Sequence, residues 1–95
     1  MRLGRVAGTV VATRKDPSLA SLKLLIVENV TTTLEREGGY VVAVDSVGAG
    51  MGEVVLYASG SSARLTQVTK DRPVDAVIMA IVDSYDVDGH VTRLA

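Results

Sequence analysis

The 95-residue chain has no cysteine, no tryptophan and no phenylalanine, and only three tyrosines. Without cysteine there can be no disulfide and no thiolate metal site, and a reducing compartment suits the chain. With Tyr40, Tyr57 and Tyr85 as the only aromatic residues, few flat faces exist for nucleic-acid bases to stack on. A dominant charge is also missing. Ten basic and eleven acidic residues are well mixed, so no charged block suits a nucleic-acid backbone or an anionic membrane. The longest apolar run, Ala76 to Val82, is far short of a membrane span. Residues 1–14 carry Arg2, Arg5 and Arg14 among glycines, not a basic start followed by an apolar core. The chain is therefore expected to be soluble, unsecreted and cytoplasmic, with no membrane partner.

What is present is aliphatic. Hydrophobic residues make up 47% of the chain, carried by Val, Ala and Leu. Stiff β-branched side chains fit a pleated surface, so heavy valine use favours strands. The length allows a single domain, residues 1–95, with a barrel core over about 1–83 and a variable tail over 84–95. A domain of this size buries only about 60–65% of its unfolded surface, so oligomerisation would help it.

The pattern predicts strands over Leu3–Arg14, Leu22–Val30, Tyr40–Val47, Glu53–Ser59 and Val74–Asp83, with a sixth possible over His90–Leu94. Gly4 and Gly8 suggest a bend or a close backbone approach in the first strand. Lys15-Asp16-Pro17-Ser18 reads as a turn, and polar Thr31–Gly39, ending in two glycines, as a loop. Gly60 to Arg64 reads as the start of a short helix capped by Ser61 or Ser62. Thr66, Val68 and Thr69 are poor helix formers and Pro73 follows, so the helix cannot run far. The expected fold is all-β, an OB-like barrel of five or six strands with one short helix before the last long strand. A plain β-sandwich is the alternative.

Three strands do not alternate apolar with polar residues. Leu24–Val27, Val41–Val44 and Ala76–Val82 are continuous apolar runs, which imply cover on both faces. Almost no helix is available to supply it, so another copy of the chain is the simplest cover. An obligate oligomer follows from this reading.

Chemical motifs are weak. Gly48-Ala49-Gly50-Met51-Gly52 follows a strand, as a dinucleotide fingerprint does. It leads into another strand, however, and not into the helix whose N-terminus would hold a pyrophosphate. Its glycines suit positive φ or crowding against a neighbouring chain. Ser84 to Gly89 resembles part of a calcium loop, but Ser84 stands where an acid is needed and Ala95 where a bidentate Glu is needed. The single histidine, His90, lacks partners for zinc. Ser61 and Ser62 lie in no Gly-x-Ser-x-Gly elbow. Asp45 and Glu53 could pair as acid and base, as could many carboxylates. No catalytic residue, metal or cofactor is expected. The alternative function for an OB-like outline is single-stranded nucleic-acid binding, and the sparse aromatics and slight negative charge serve it poorly.

Five stretches in order resemble one family. They are Leu3–Thr13, Lys23–Val27, the glycine-rich Val44–Glu53, Gly60–Arg64, and Pro73-Val74-Asp75 through Ile81-Val82-Asp83. Together they resemble the CcmL/EutN family of bacterial microcompartment vertex proteins, from the N-terminus to about Asp83. The resemblance implies a non-enzymatic structural shell protein. It implies a homopentamer that caps the vertices of a polyhedral microcompartment, carboxysome or metabolosome, among hexameric shell proteins. It places Gly48, Ala49, Gly50, Met51 and Gly52 at or near the five-fold axis or pore. It makes Asp45, Glu53, Ser61, Ser62 and Arg64 subunit-interface candidates, Arg64 through an ion pair or carbonyl contact.

Overall fold

The computed structural model describes all 95 residues. Five strands form a closed barrel in the order β1-β2-β3-β5-β4, with β4 pairing back to β1. They are β1 Arg2–Val10, β2 Leu24–Val30, β3 Arg36–Asp45, β4 Val54–Ser59 and β5 Ala76–Ile81. All neighbours are antiparallel except β3 and β5, which run parallel through Val44↔Val77 and Asp45↔Ile78. The expected all-β barrel is thus present, and closure leaves it no free sheet edge. Strands β6 Ser84–Val87 and β7 His90–Arg93 form a separate two-stranded hairpin.

The barrel interior is filled by Val6, Leu25, Val27, Ala43, Val55, Tyr57 and Ile78, all buried. Gly4 makes closure possible. A Cβ there would lie 2.3 Å from Val27 Cγ1 and 3.1 Å from the Glu28 carbonyl oxygen, so only glycine lets β1 lie this close to β2. At Gly8 a Cβ would meet only Ile26, at an ordinary 3.6 Å. Bending near Gly8 comes instead from a register shift between Val6 and Gly8. Tyr57 donates its hydroxyl hydrogen to Asn29 Oδ1, which gives the largest core side chain a partner for its one polar atom.

Several expected boundaries move. β3 begins at Arg36, inside the expected loop, because Gly38 and Gly39 form a bulge at φ +90° and +89° instead of ending a loop. β1 stops at Val10, short of Arg14. The expected short helix is a single five-residue 3₁₀ turn, Gly60–Arg64. Neither Ser61 nor Ser62 caps it. Ser59 stands at the cap position without a side-chain bond, and Ser62 Oγ donates to the Ser59 carbonyl at 2.9 Å. A second 3₁₀ turn, Pro17–Leu19, is capped by Asp16, which accepts from the Ser18 amide at 2.9 Å. The Ser18 hydroxyl, then the Ser18 amide, hold the Asp16 carboxyl below its ordinary value. The stretch Ser84 to Gly89, which resembles part of a calcium loop, contains β6, and the tail strand pairs with it.

Candidate functional site

The glycine-rich connector between β3 and β4 is tied down by two carboxylates. Asp45 Oδ1 accepts from the amides of Val47, Gly48 and Ala49 at 3.1, 3.0 and 3.2 Å. The Asp45 side chain is almost fully buried, and its other oxygen faces Lys23 Nζ at 3.5 Å. Lys23 also donates to the Ala49 carbonyl at 3.4 Å. Glu53 Oε1 accepts from the Gly50 amide at 2.6 Å. Two backbone bonds then stitch the loop to β1: Gly52 N–H to the Val6 carbonyl at 2.9 Å, and Val6 N–H to the Glu53 carbonyl at 3.0 Å. Gly48 and Gly52 sit at φ +77° and +81°, where other residues are strained.

The loop is therefore a rigid projection, and its parts face different ways. Met51 is 63% exposed at its tip. Gly48 and Gly52 are exposed and Gly50 is half-exposed. Ala49 leaves the candidate pore surface, because its side chain is buried in the barrel core. Asp45 and Glu53, expected at a subunit contact, each bind their own loop through one oxygen, and the second Asp45 oxygen faces Lys23. An Asp45→Ala chain loses three charge-assisted acceptor bonds and leaves the part-buried Ala49 amide without its partner. Chemical denaturation should show it about 2–4 kcal/mol less stable, with Asp45→Asn losing less.

The remaining candidates lie on the 3₁₀ turn. Ser61 and Arg64 are exposed, and the Arg64 guanidinium meets no acceptor in its own chain. Arg72, across a shallow pocket from Arg64, donates to the Ala20 carbonyl at 2.8 Å. His90 stands exposed on the hairpin, far in sequence from Ser61 and Ser62.

The apolar runs resolve into two cases. Val44 and Val77, on the outside of the barrel, are covered by the chain itself. Ala63 of the 3₁₀ turn packs on them, with Leu22, Leu24 and Val74 around it. That cover corrects the expectation that sister copies shield every run. Part of the outer face is open. Tyr40 and Val42 on β3 are 63% and 48% exposed. The register sets Val42 beside Ile26 and Tyr40 beside Glu28. A groove of about 180 Å³ lined by Leu19, Leu24, Val42 and Val74 continues this surface. A second apolar patch lies where β3 enters the glycine-rich loop. It holds Val47 and Met79, exposed to 39% and 36%. Ser46 joins them by donating to the Ile78 carbonyl at 2.6 Å. Sequence reasoning missed Tyr40 and Val42 individually. Their signal was an exposed-face pair, two residues apart, inside an otherwise buried run.

A small closed barrel with two separate bare apolar patches and a stiffened loop is built as an assembly subunit. The comparisons name the family. The family described as ethanolamine utilisation protein EutN/carboxysome matches residues 1–83. The chain belongs to this EutN/CcmL family. The carboxysome shell vertex protein CcmL of Gloeobacter violaceus is 43% identical over 93% of this chain and 88% of its own length. Its solved structure superposes with a TM-score of 0.91 at 42% identity, over 96% of this chain and 94% of that one. The shell vertex protein GrpN of Rhodospirillum rubrum is 45% identical over 90% of this chain and 97% of its own. The structure of GrpN, described as a pentameric microcompartment shell protein, gives a TM-score of 0.83 at 46% identity, covering 92% of this chain and 99% of that one. No helix is long and apolar enough to cross a membrane.

Proposed function

We propose that this chain is a structural vertex piece of a microcompartment shell and not an enzyme. Five copies form a closed ring that fits a pentagonal corner among hexameric shell proteins. The observation that carries this reading is the pair of different apolar patches on one subunit. A ring closes through heterologous contacts, in which one patch of each copy meets a different patch of the next. The Tyr40–Val42 face and the Val47–Met79 patch meet that requirement. An isologous dimer would need only one.

In this ring the loops from Gly48 to Glu53 gather near the axis. Their rigidity matters there, because five copies of a floppy loop would each lose entropy on ordering. The carboxylate ties of Asp45 and Glu53 stiffen the loop before assembly. Met51, the exposed residue at the tip, is the side chain best placed to narrow any opening. Met51→Ala should leave assembly intact and widen the axial opening in a crystal structure or electron-microscopy map of the ring.

Co-expression with a hexameric shell protein tests the function. With the chain present, electron microscopy should show closed polyhedra. Without it, flat sheets or tubes should dominate, since hexagons alone do not close. Closed shells of the same yield without the chain would overturn the reading.

A further inference from the structure

The hairpin of β6 and β7 has almost no support from its own barrel. The molecule measures 46 × 23 × 22 Å. The hairpin's side-chain bond to the barrel end is from the Tyr85 hydroxyl to the Thr32 carbonyl, and Val87, Asp88 and His90 share a cleft with the Thr32–Leu34 loop, while Leu94 N–H to the Asp83 carbonyl at 2.7 Å closes the hairpin's own root. Six of its eight strand residues are exposed, including Val87 and Val91 at 40% and 58%. A lone two-stranded hairpin is marginal in water, so this arm needs a surface to lie on.

Its chemistry indicates which surface. The distal half, Asp86 to Val91, carries two carboxylates and two bare valines. It also holds His90, opposite Val87, and the hairpin's one fixed positive charge, Arg93, is back at the root opposite Ser84. The stretch from Arg64 to Arg72 is its complement. It carries Arg64, Lys70 and Arg72 against the single acid Asp71, and it exposes Leu65 and Val68 to 82% and 40%. Arg64 has no acceptor in its own chain, and nothing in the chain covers Leu65. An acidic, apolar tip and a basic, apolar loop, both bare on one subunit, match in charge and in character.

We infer that the β6–β7 arm of one copy docks on the Arg64–Arg72 loop of a neighbouring copy in the ring, with Val91 against Leu65 and the tip carboxylates against Arg64 and Lys70. The inference rests on the ring proposed above. It gives the ring an outer strap, separate from the contact through Val42.

The absence of native cysteine makes a clean test possible. Two chains, Val91→Cys and Leu65→Cys, carrying different tags, are co-expressed and treated with a short bismaleimide. A covalent dimer holding both tags is expected, and neither variant alone should cross-link. The double variant should give a ladder ending at five chains. A ring of five-chain mass with no mixed-tag dimer would overturn the strap while leaving the ring standing. Cross-linking of Val91→Cys to a co-expressed hexameric protein in place of the sister chain would also overturn it. A wild-type chain that forms no ring would sink the ring itself, a result visible before any cross-linker is added. A second arm uses charge. Asp86→Lys with Asp88→Lys should weaken association at least tenfold, and adding Arg64→Glu with Lys70→Glu should restore it. Failure of that rescue in a folded chain would contradict the docking.

Discussion

A Val42→Asp chain should remain a folded barrel and lose its assembly. Val42 is on the outside of β3 and is 48% exposed in the single subunit, so an aspartate there is hydrated and costs the isolated barrel little. In the proposed ring the same side chain would be covered by the next copy. An unpaired carboxylate taken out of water costs several kcal/mol even after local relaxation. A loss of about 3 kcal/mol is roughly a hundredfold in one association constant, and a closed ring presents the defect at every contact. Sedimentation should show a five-chain species replaced by single chains at micromolar concentration. Far-UV circular dichroism should be unchanged. Val42→Ile, which keeps the face apolar, should still assemble. A Val42→Asp chain that assembled as tightly as wild type would remove the β2–β3 outer face from the interface.

The second large effect acts on the fold. Gly4→Ala puts a methyl group 2.3 Å from Val27 Cγ1, 3.1 Å from the Glu28 carbonyl oxygen and 3.4 Å from the Tyr57 ring. Val27 is fully buried, so its side chain has no free space to move into. The strands must separate, and the Tyr57–Asn29 hydrogen bond is at the same place. Overpacking of this kind costs about 1–3 kcal/mol and more where backbone must move. For a domain under 100 residues each kcal/mol is about 4–8 °C, so thermal unfolding should come about 10–20 °C earlier. Gly8→Ala meets only ordinary contact and should change the midpoint far less. Equal losses at the two positions would mean that β1 does not approach β2 through Gly4.

These two positions show how unevenly the sequence could be read. That β1 contains a close approach was legible from its glycines. Which glycine makes it was not, because the contact comes from Val27 on another strand, more than twenty residues away. The barrel itself was legible because valine-rich runs and turn residues alternate along the chain. The boundaries of β3 were not, since Gly38-Gly39 serves equally as a loop end or as a bulge. The hairpin was half seen: His90–Leu94 looked like a strand, but its partner was hidden in residues rich in Asp, which disfavours strands.

The site was legible at the level of segments. The glycine-rich loop, the 3₁₀ turn and the bare strands were all visible in the chain. The roles of single residues were not, because a carboxylate next to a glycine-rich loop can serve a neighbour or its own backbone. Asp45 and Glu53 each bond their own backbone through one oxygen, and three-dimensional distances alone reveal it. The apolar runs likewise combined two kinds of cover. Val44 and Val77 are shielded by Ala63 of the same chain, while Tyr40 and Val42 stay exposed on the single subunit.

Native mass spectrometry of the untagged wild-type chain is the most direct test of whether those bare faces join copies into a closed ring. The 10.0 kDa subunit should appear as one species of about 50 kDa. A folded 10.0 kDa particle persisting at micromolar concentration would contradict the account.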